Sequence, residues 1–187
     1  MKILITGASG FIGSYLFKSF LNSGKNVYGI VRKKSNIPFL KDNSDRLIIS
    51  DLTDFNNLDR LIPKDIDMII HAGAFNDQDT NLDIKNSYNV NVYGTRNICE
   101  IASLRNIKKF VYLSVLQVYG RELKSKINEN SEIFCDNDYS LSHYLAEKIC
   151  ENYSKMSKIK FSILRMGYMF GCPIDDKIDR KTLIPYV

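Results

Sequence analysis

No stretch of this 187-residue sequence approaches the roughly 20 apolar residues of a transmembrane helix, so a membrane span is not expected. Nor is there a block of one charge. The 26 Lys and Arg are scattered among 21 Asp and Glu, and the net charge of +5 reads as a solvated surface, not as a nucleic-acid-binding stripe. Cys99, Cys135, Cys150 and Cys172 lack the paired spacing of a zinc site or a disulfide framework. They read as reduced, mostly packed thiols, and no metal is expected. Internal repeats and low-complexity tracts are absent. Met1 and Lys2 precede the apolar Ile3 to Ile5, but Gly7, Gly10 and Gly13 interrupt that region and no cleavage pattern follows. A secretory signal is therefore disfavoured, and the cytoplasm is the expected compartment.

What remains is the composition of a soluble globular protein, 44% apolar and 25% charged, with length for one well-buried domain and not for two. Strand-like apolar runs recur at Lys2 to Thr6, Asn26 to Val31, Arg46 to Ile49, Asp67 to His71, Lys108 to Ser114 and Lys160 to Arg165. Helical patterns lie between several of them. Phe11 to Ser23 carries Ile12, Leu16 and Phe20 at four-residue spacing before Gly24, a good stop residue, and Val90 to Arg105 and Tyr139 to Lys155 are longer. Such alternation predicts an α/β fold of Rossmann type, a doubly wound parallel sheet with helices on both faces. The stretches from Lys33 to Asp45 and from Arg121 to Asp138 read as surface connections.

The first strand and helix are joined by Thr6-Gly-Ala-Ser-Gly-Phe-Ile-Gly13, the spacing of a dinucleotide-binding turn. Gly7 permits a sharp exit from the strand, Gly10 lets main-chain N–H groups approach a pyrophosphate, and Gly13 lets the helix lie close to the sheet. Phe11 and Ile12 open that helix, whose positive dipole end faces the phosphates.

Further residues extend this pattern: Asp51 and Leu52 after the third strand, His71 to Ala74 after the fourth, and Asn91, Gly94 and Thr95 in the next helix. Ser114, Val118, Tyr119 and Gly120 follow, then Tyr139, Ser142 and Glu147, and finally Arg165, Gly167 and Gly171. Together they resemble the extended short-chain dehydrogenase/reductases, in particular the NAD-dependent epimerase/dehydratase branch that acts mainly on nucleotide sugars. The resemblance runs from Lys2 to about Gly171. It implies an NAD(P)-binding Rossmann domain over 1–171, a short C-terminal remnant over 172–187, and a substrate lobe that is largely absent. It also implies a nucleotide-sugar substrate, and a homodimer paired through the helices at Val90 to Arg105 and Tyr139 to Lys155.

By the same resemblance Asp51 and Leu52 border the adenine, and Ala72, Gly73 and Ala74 line the cofactor toward its ribose. The same residues have structural uses, Asp51 as a turn cap and the small residues for close packing. After Val31, where an NAD-preferring member offers an acid to the ribose hydroxyls, this sequence has Arg32, Lys33 and Lys34. Arg32 suits a 2′-phosphate, so NADP(H) is expected, with NAD as the alternative; a solvated cationic loop is the plain structural reading.

The family's reaction implies a tyrosine that moves a hydroxyl proton, a lysine four residues later, and a Ser or Thr four residues before the Tyr-Gly pair. Here those positions are Tyr139, His143 and Val115. A histidine of ordinary pKa near 6.5 is a weaker neighbour for a tyrosinate than a permanent lysine cation, and valine donates no hydrogen bond. Ser114 points to the other face of its strand. Tyr144 and Lys148 repeat the four-residue spacing but lose the match at Ser142 and Glu147, which makes them packing and surface residues. Leu116 and Gln117 stand where 4,6-dehydratases carry an acid pair, so elimination is not expected. Two readings follow: a nucleotide-sugar epimerase or reductase in which His143 partly replaces the lysine, or a catalytically weakened dinucleotide-binding module that works with a partner.

Overall fold

The computed structural model describes residues 1–32, 43–120, 126–171 and Ile174. Six strands, β1 (Lys2–Thr6), β2 (Asn26–Val31), β3 (Leu47–Ile49), β4 (Met68–His71), β5 (Lys109–Val115) and β6 (Lys160–Met166), form one parallel sheet in the order 3-2-1-4-5-6. Ile3, Leu4 and Ile5 of β1 are wholly buried, because a central parallel strand is covered on both faces and has no use for alternation. The edge strand β6 alternates between half-buried and exposed residues.

The helices are α1 (Phe11–Asn22), α2 (Phe55–Leu61), α3 (Asp77–Leu82), α4 (Ile84–Tyr88), α5 (Thr95–Leu104) and α6 (Asp138–Met156). One face of the sheet, through Leu4, Ile69, Phe110 and Tyr112, packs on Leu58 of α2, Ile98 and Ile101 of α5, and Ala146 and Cys150 of α6. The opposite face, through Ile3, Ile5, Val27 and Ile70, packs on Phe17 of α1. Gly24, at φ +67°, ends α1 as expected, with its N–H and that of Lys25 returning to the carbonyls of Leu21 and Phe20.

The sequence-based strand boundaries hold to within one residue, β4 starting at Met68, β5 running from Lys109 to Val115 and β6 ending at Met166. Arg46 belongs to a 3-10 turn (Ser44–Arg46), so β3 starts one residue later. The helix expected from Val90 begins earlier: α4 continues through a π-helical segment (Asn89–Gly94) into α5, which widens the register where Asn91 turns toward the sheet. The short helices α2, α3 and α4 were not legible as amphipathic runs, and Asp54, Asn76 and Asp83 start them by accepting from the N–H groups of Asn57, Asp79 and Asn86. Lys33 and Lys34, most of the expected connection from Lys33 to Asp45, Arg121, Cys172 and nearly all of 172–187 lie outside the described residues. Cys99 and Cys150 are buried thiols with their sulfurs 3.8 Å apart, and Cys135 is half-buried. Among the described residues there is no cluster of ligands for a metal ion and no helix long and apolar enough to cross a membrane.

Candidate functional site

The strand order reverses between β1 and β4, which opens a crevice at the carboxyl ends of those strands. The glycine turn fills one side of it. Gly7 sits at φ +67°, and a Cβ there would lie 2.7 Å from the Cα of Gly73, so only glycine lets the loops after β1 and β4 meet. A Cβ on Gly13 would lie 2.1 Å from the Gly7 carbonyl oxygen, which is how closely α1 approaches the turn. Gly10 differs: among the described residues, a Cβ there meets one atom, the Gly7 oxygen at 3.2 Å, and otherwise points into open space. The fold itself has little need of glycine at that position. Gly10 also begins α1 with no side-chain cap and no acid in the first turn, while α2, α3, α4 and α6 are each capped by an Asp or Asn. The Gly10 N–H is taken by the Gly7 carbonyl at 2.8 Å, which closes the turn, and Phe11, Ile12 and Gly13 follow as the first turn of α1, whose N-terminal end borders this space.

The residues that the resemblance assigns to the adenosine side converge at the ends of β2 and β3. The Ser50 N–H donates to the Val31 carbonyl, which places exposed Arg32 and Asp51 at neighbouring strand ends. Asp51 Oδ1 accepts from the N–H and the hydroxyl of Thr53, so its turn-capping use is realised. Leu52 is wedged where Cβ atoms on Gly73 or Gly94 would stand 2.9 Å from it, and the small residues here do serve close packing.

Thr6, His71 and Thr95 tie the β4 loop to the glycine turn by a hydrogen-bond line whose direction is determined. The Thr95 hydroxyl donates to the Asn91 carbonyl, so it accepts from His71 Nε2 at 3.0 Å. Thr6 Oγ1 accepts from the N–H groups of Ala72 and Gly73, so its own proton goes to His71 Nδ1 at 2.6 Å. His71 is therefore the neutral Nε2–H tautomer, in keeping with its burial, which pushes its pKa down to about 3 with a smaller contribution from His143. The sequence marked Thr6, His71 and Thr95 only as matching positions; a polar residue ending a fully apolar strand was the signal of this role.

Asn91 carries the connection onward. Its side-chain oxygen accepts from the Phe75 N–H at 2.7 Å and its amide nitrogen donates to Ser142 on α6 at 2.9 Å. One residue further on α6 is His143, whose ring meets that of Tyr139 edge-on at 4.8 Å between centroids. Burial, then the charges of Asp77 and Tyr168, push the Tyr139 phenol up from its ordinary value. Burial likewise pushes His143 down to about 4, against a weaker opposing influence of the Phe75 main chain. Val115 ends β5 nearly buried. Ser114 faces inward and donates to Glu147, as strand alternation requires. Glu147 is fully buried and takes a two-pronged ion pair from Arg165, with Nη2 to Oε2 at 2.7 Å, while Arg165 also donates to the Tyr119 hydroxyl. Tyr144 and Lys148 lie apart from this cluster, the lysine over the tyrosine ring at 4.9 Å and paired with Glu151.

A parallel sheet reversing at a glycine turn, where α1 starts without a side-chain cap, defines a Rossmann-type domain. Residues 3–187 match the NAD dependent epimerase/dehydratase family, and the chain belongs to that family. It is 32% identical to the dTDP-D-glucose 4,6-dehydratase of Dictyostelium discoideum, over 91% of this chain and 44% of that protein. It is 28% identical to a putative UDP-glucose 4-epimerase of Methanocaldococcus jannaschii, over 94% and 58%. The chain thus spans about half the length of these relatives. Among solved structures, the UDP-glucose 4-epimerase of Thermus thermophilus in complex with NAD superposes with a TM-score of 0.84 at 23% identity, over 94% of this chain and 58% of that one. That likeness is one of fold. The UDP-glucuronic acid 4-epimerase of Bacillus cereus, solved with UDP-glucuronic acid and NAD, gives 0.75 at 29% identity, over 88% and 56%.

Proposed function

We propose that this chain binds a nicotinamide dinucleotide at the Gly7–Gly13 turn and forms the cofactor-binding part of a nucleotide-sugar epimerase or reductase. The observation that carries the reading is the cradle at Gly10, open to solvent where the fold has no packing use for the glycine. The first turn of α1, Phe11, Ile12 and Gly13, would hold the pyrophosphate by its main chain, with Gly7 and Gly10 leaving room for its approach. Asp51 and Leu52 would border the adenine, Ala72, Gly73 and Ala74 the ribose beyond it, and Tyr139 with His143 the nicotinamide side. The nicotinamide, when bound, supplies the hydride acceptor or donor. Tyr139 would move the proton of a sugar hydroxyl.

NADP(H) is the preferred cofactor in this reading because exposed Arg32 follows β2 where an acid would favour the unphosphorylated ribose. The NAD held by the Thermus and Bacillus epimerases favours the alternative. Calorimetric titration with NADPH and NADH separates them: tighter NADPH binding, lost selectively in Arg32→Ala, is the expected result, and equal or tighter NADH binding removes the NADP(H) assignment.

A second reading, a weakened module with slow chemistry of its own, is favoured by one specific observation. His143 is buried and held neutral, and Val115 offers no hydroxyl, so the Tyr139 phenol stays protonated near neutrality. Turnover on a nucleotide-sugar panel decides between the two: robust activity abolished by Tyr139→Phe supports the enzyme, and its absence in a chain that binds cofactor supports the module. A homodimer through α5 and α6 accompanies either reading, supported by exposed Leu104, Leu141 and Leu145 on those helices. The cytoplasm is the proposed compartment.

A further inference from the structure

Among the described residues, one buried side-chain polar atom lacks a hydrogen bond of good geometry, Nε2 of His143, and the Phe75 main chain is the hydrogen-bonding neighbour that acts on this ring. An unpaired buried N–H or ring nitrogen costs about 1–3 kcal/mol, which is not an expense a fold carries without a use. The other ring nitrogen, Nδ1, lies 2.9 Å from the hydroxyl of Tyr112, a residue of β5 that is itself only 1% exposed. The two possible proton placements are unequal. If Tyr112 donates to Nδ1, the imidazole carries its proton on Nε2 and a single group is unsatisfied. If Nδ1 donates instead, the Tyr112 proton is stranded in the core and Nε2 becomes a bare acceptor, two unsatisfied groups in place of one. The Phe75 main chain, whose influence favours a proton on this ring, agrees with the first placement.

We propose that Tyr112 is a positioning residue of the candidate site: its buried hydroxyl fixes His143 as the Nε2–H tautomer and so presents a neutral donor to the bound dinucleotide. The ligand half of this statement rests on the dinucleotide reading above; the tautomer half does not. The arrangement differs in kind from a lysine. A neutral imidazole donates a directed hydrogen bond but adds no charge beside Tyr139, so ligand holding is kept while activation of the phenol is not. Tyr112 also lies between the two imidazoles, its ring centroid 5.6 Å from that of His71 and 6.2 Å from that of His143. The hydroxyl, however, is bonded to His143, so its loss should spare His71.

The sequence has two histidines, which makes the test direct. In ligand-free protein labelled with 15N-histidine, both rings are expected as Nε2–H tautomers at pH 7, assigned with His143→Gln. In Tyr112→Phe, His143 is expected to become a tautomer mixture while His71 is unchanged. Addition of NADH should shift the His143 Nε2–H resonance in the wild type, and Tyr112→Phe should bind NADH about threefold to tenfold more weakly. The double variant Tyr112→Phe/His143→Phe removes both partners of the buried bond, keeps the aromatic packing and should show at least the same affinity loss should the single variant fold poorly. A wild-type His143 in the Nδ1–H form, or a Tyr112→Phe protein with unchanged tautomer, overturns the proposal. Failure of the wild type to bind either NADH or NADPH overturns the dinucleotide reading and the ligand half with it, while the ligand-free spectra still decide the role of Tyr112.

Discussion

The glycine turn and the Tyr139 turn of α6, which the proposed function assigns to one site, are made of different material. At the glycine turn the working groups are main-chain N–H groups, and what the sequence contributes is the removal of side chains: Gly7 for its φ of +67° and the approach of Gly73, Gly13 for the approach of α1, Gly10 for open space. At the Tyr139 turn the working groups are side chains, and each one's chemistry depends on its neighbour's charge. The first arrangement survives as long as the fold does. The second can lose its function with the fold intact, because a buried neutral His143 packs in a site where a cation would be needed to favour a phenolate. In the proposed function, holding the dinucleotide and moving a proton therefore depend on separate parts of the molecule.

The largest expected effect concerns what holds the Tyr139 end in place. Glu147→Ala leaves the half-buried Arg165 guanidinium without its carboxylate and Ser114 without its acceptor, and should cost about 3 kcal/mol in chemical denaturation. A loss below about 1 kcal/mol would mean that the ion pair is solvated and that β5, β6 and α6 are joined by apolar contact alone.

Next is the attempt to restore the missing chemistry. His143→Lys with Val115→Ser should raise turnover on a productive nucleotide sugar by about a hundredfold if charge is the main defect, the scale of positioned acid–base catalysis. Cofactor affinity should change far less. No gain in a folded, cofactor-binding variant would break the contrast between the two ends and shift the defect to substrate holding.

These contrasts also mark what the sequence made legible. The strands were readable because a parallel core strand is a continuous apolar run, and Ile3 to Ile5 or Met68 to Ile70 leave little ambiguity. The glycine turn was readable because its requirement is local, whereas Tyr139, His143 and Val115 were placed by the family resemblance, since spacing alone offered Tyr144 and Lys148 as well. The line through Thr6, His71 and Thr95 was not, since its members stand 65 and 24 residues apart and meet only after β1 and β4 pair. The same holds for Tyr112 and His143, 31 residues apart, and for the π-helical segment that turns Asn91 toward Phe75 and Ser142. Periodicity reports which face of an element is buried. It does not report which polar groups find one another there.

A smaller effect follows from the two imidazoles. Both have folded pKa values, about 3 and about 4, below the ordinary 6.5, so the unfolded chain binds more protons and stability must fall as pH falls below 6.5. The loss should reach about 1.4 kcal/mol for each histidine at pH 5.5 relative to pH 7.5, read by urea denaturation. Tyr112→Phe/His143→Phe should remove the His143 share of that loss. A pH-independent stability would mean that both rings reach solvent.

Gly10→Val tests the central claim most directly, because the added side chain enters the cradle where the fold leaves space and touches little else. Calorimetric titration with NADH and NADPH, paired with thermal unfolding of the same samples, should give saturable binding to the wild type and at least about tenfold weaker binding to Gly10→Val, a difference of about 1.4 kcal/mol, with little change in melting temperature. Equal affinity in the folded variant would show that the dinucleotide does not occupy the glycine turn.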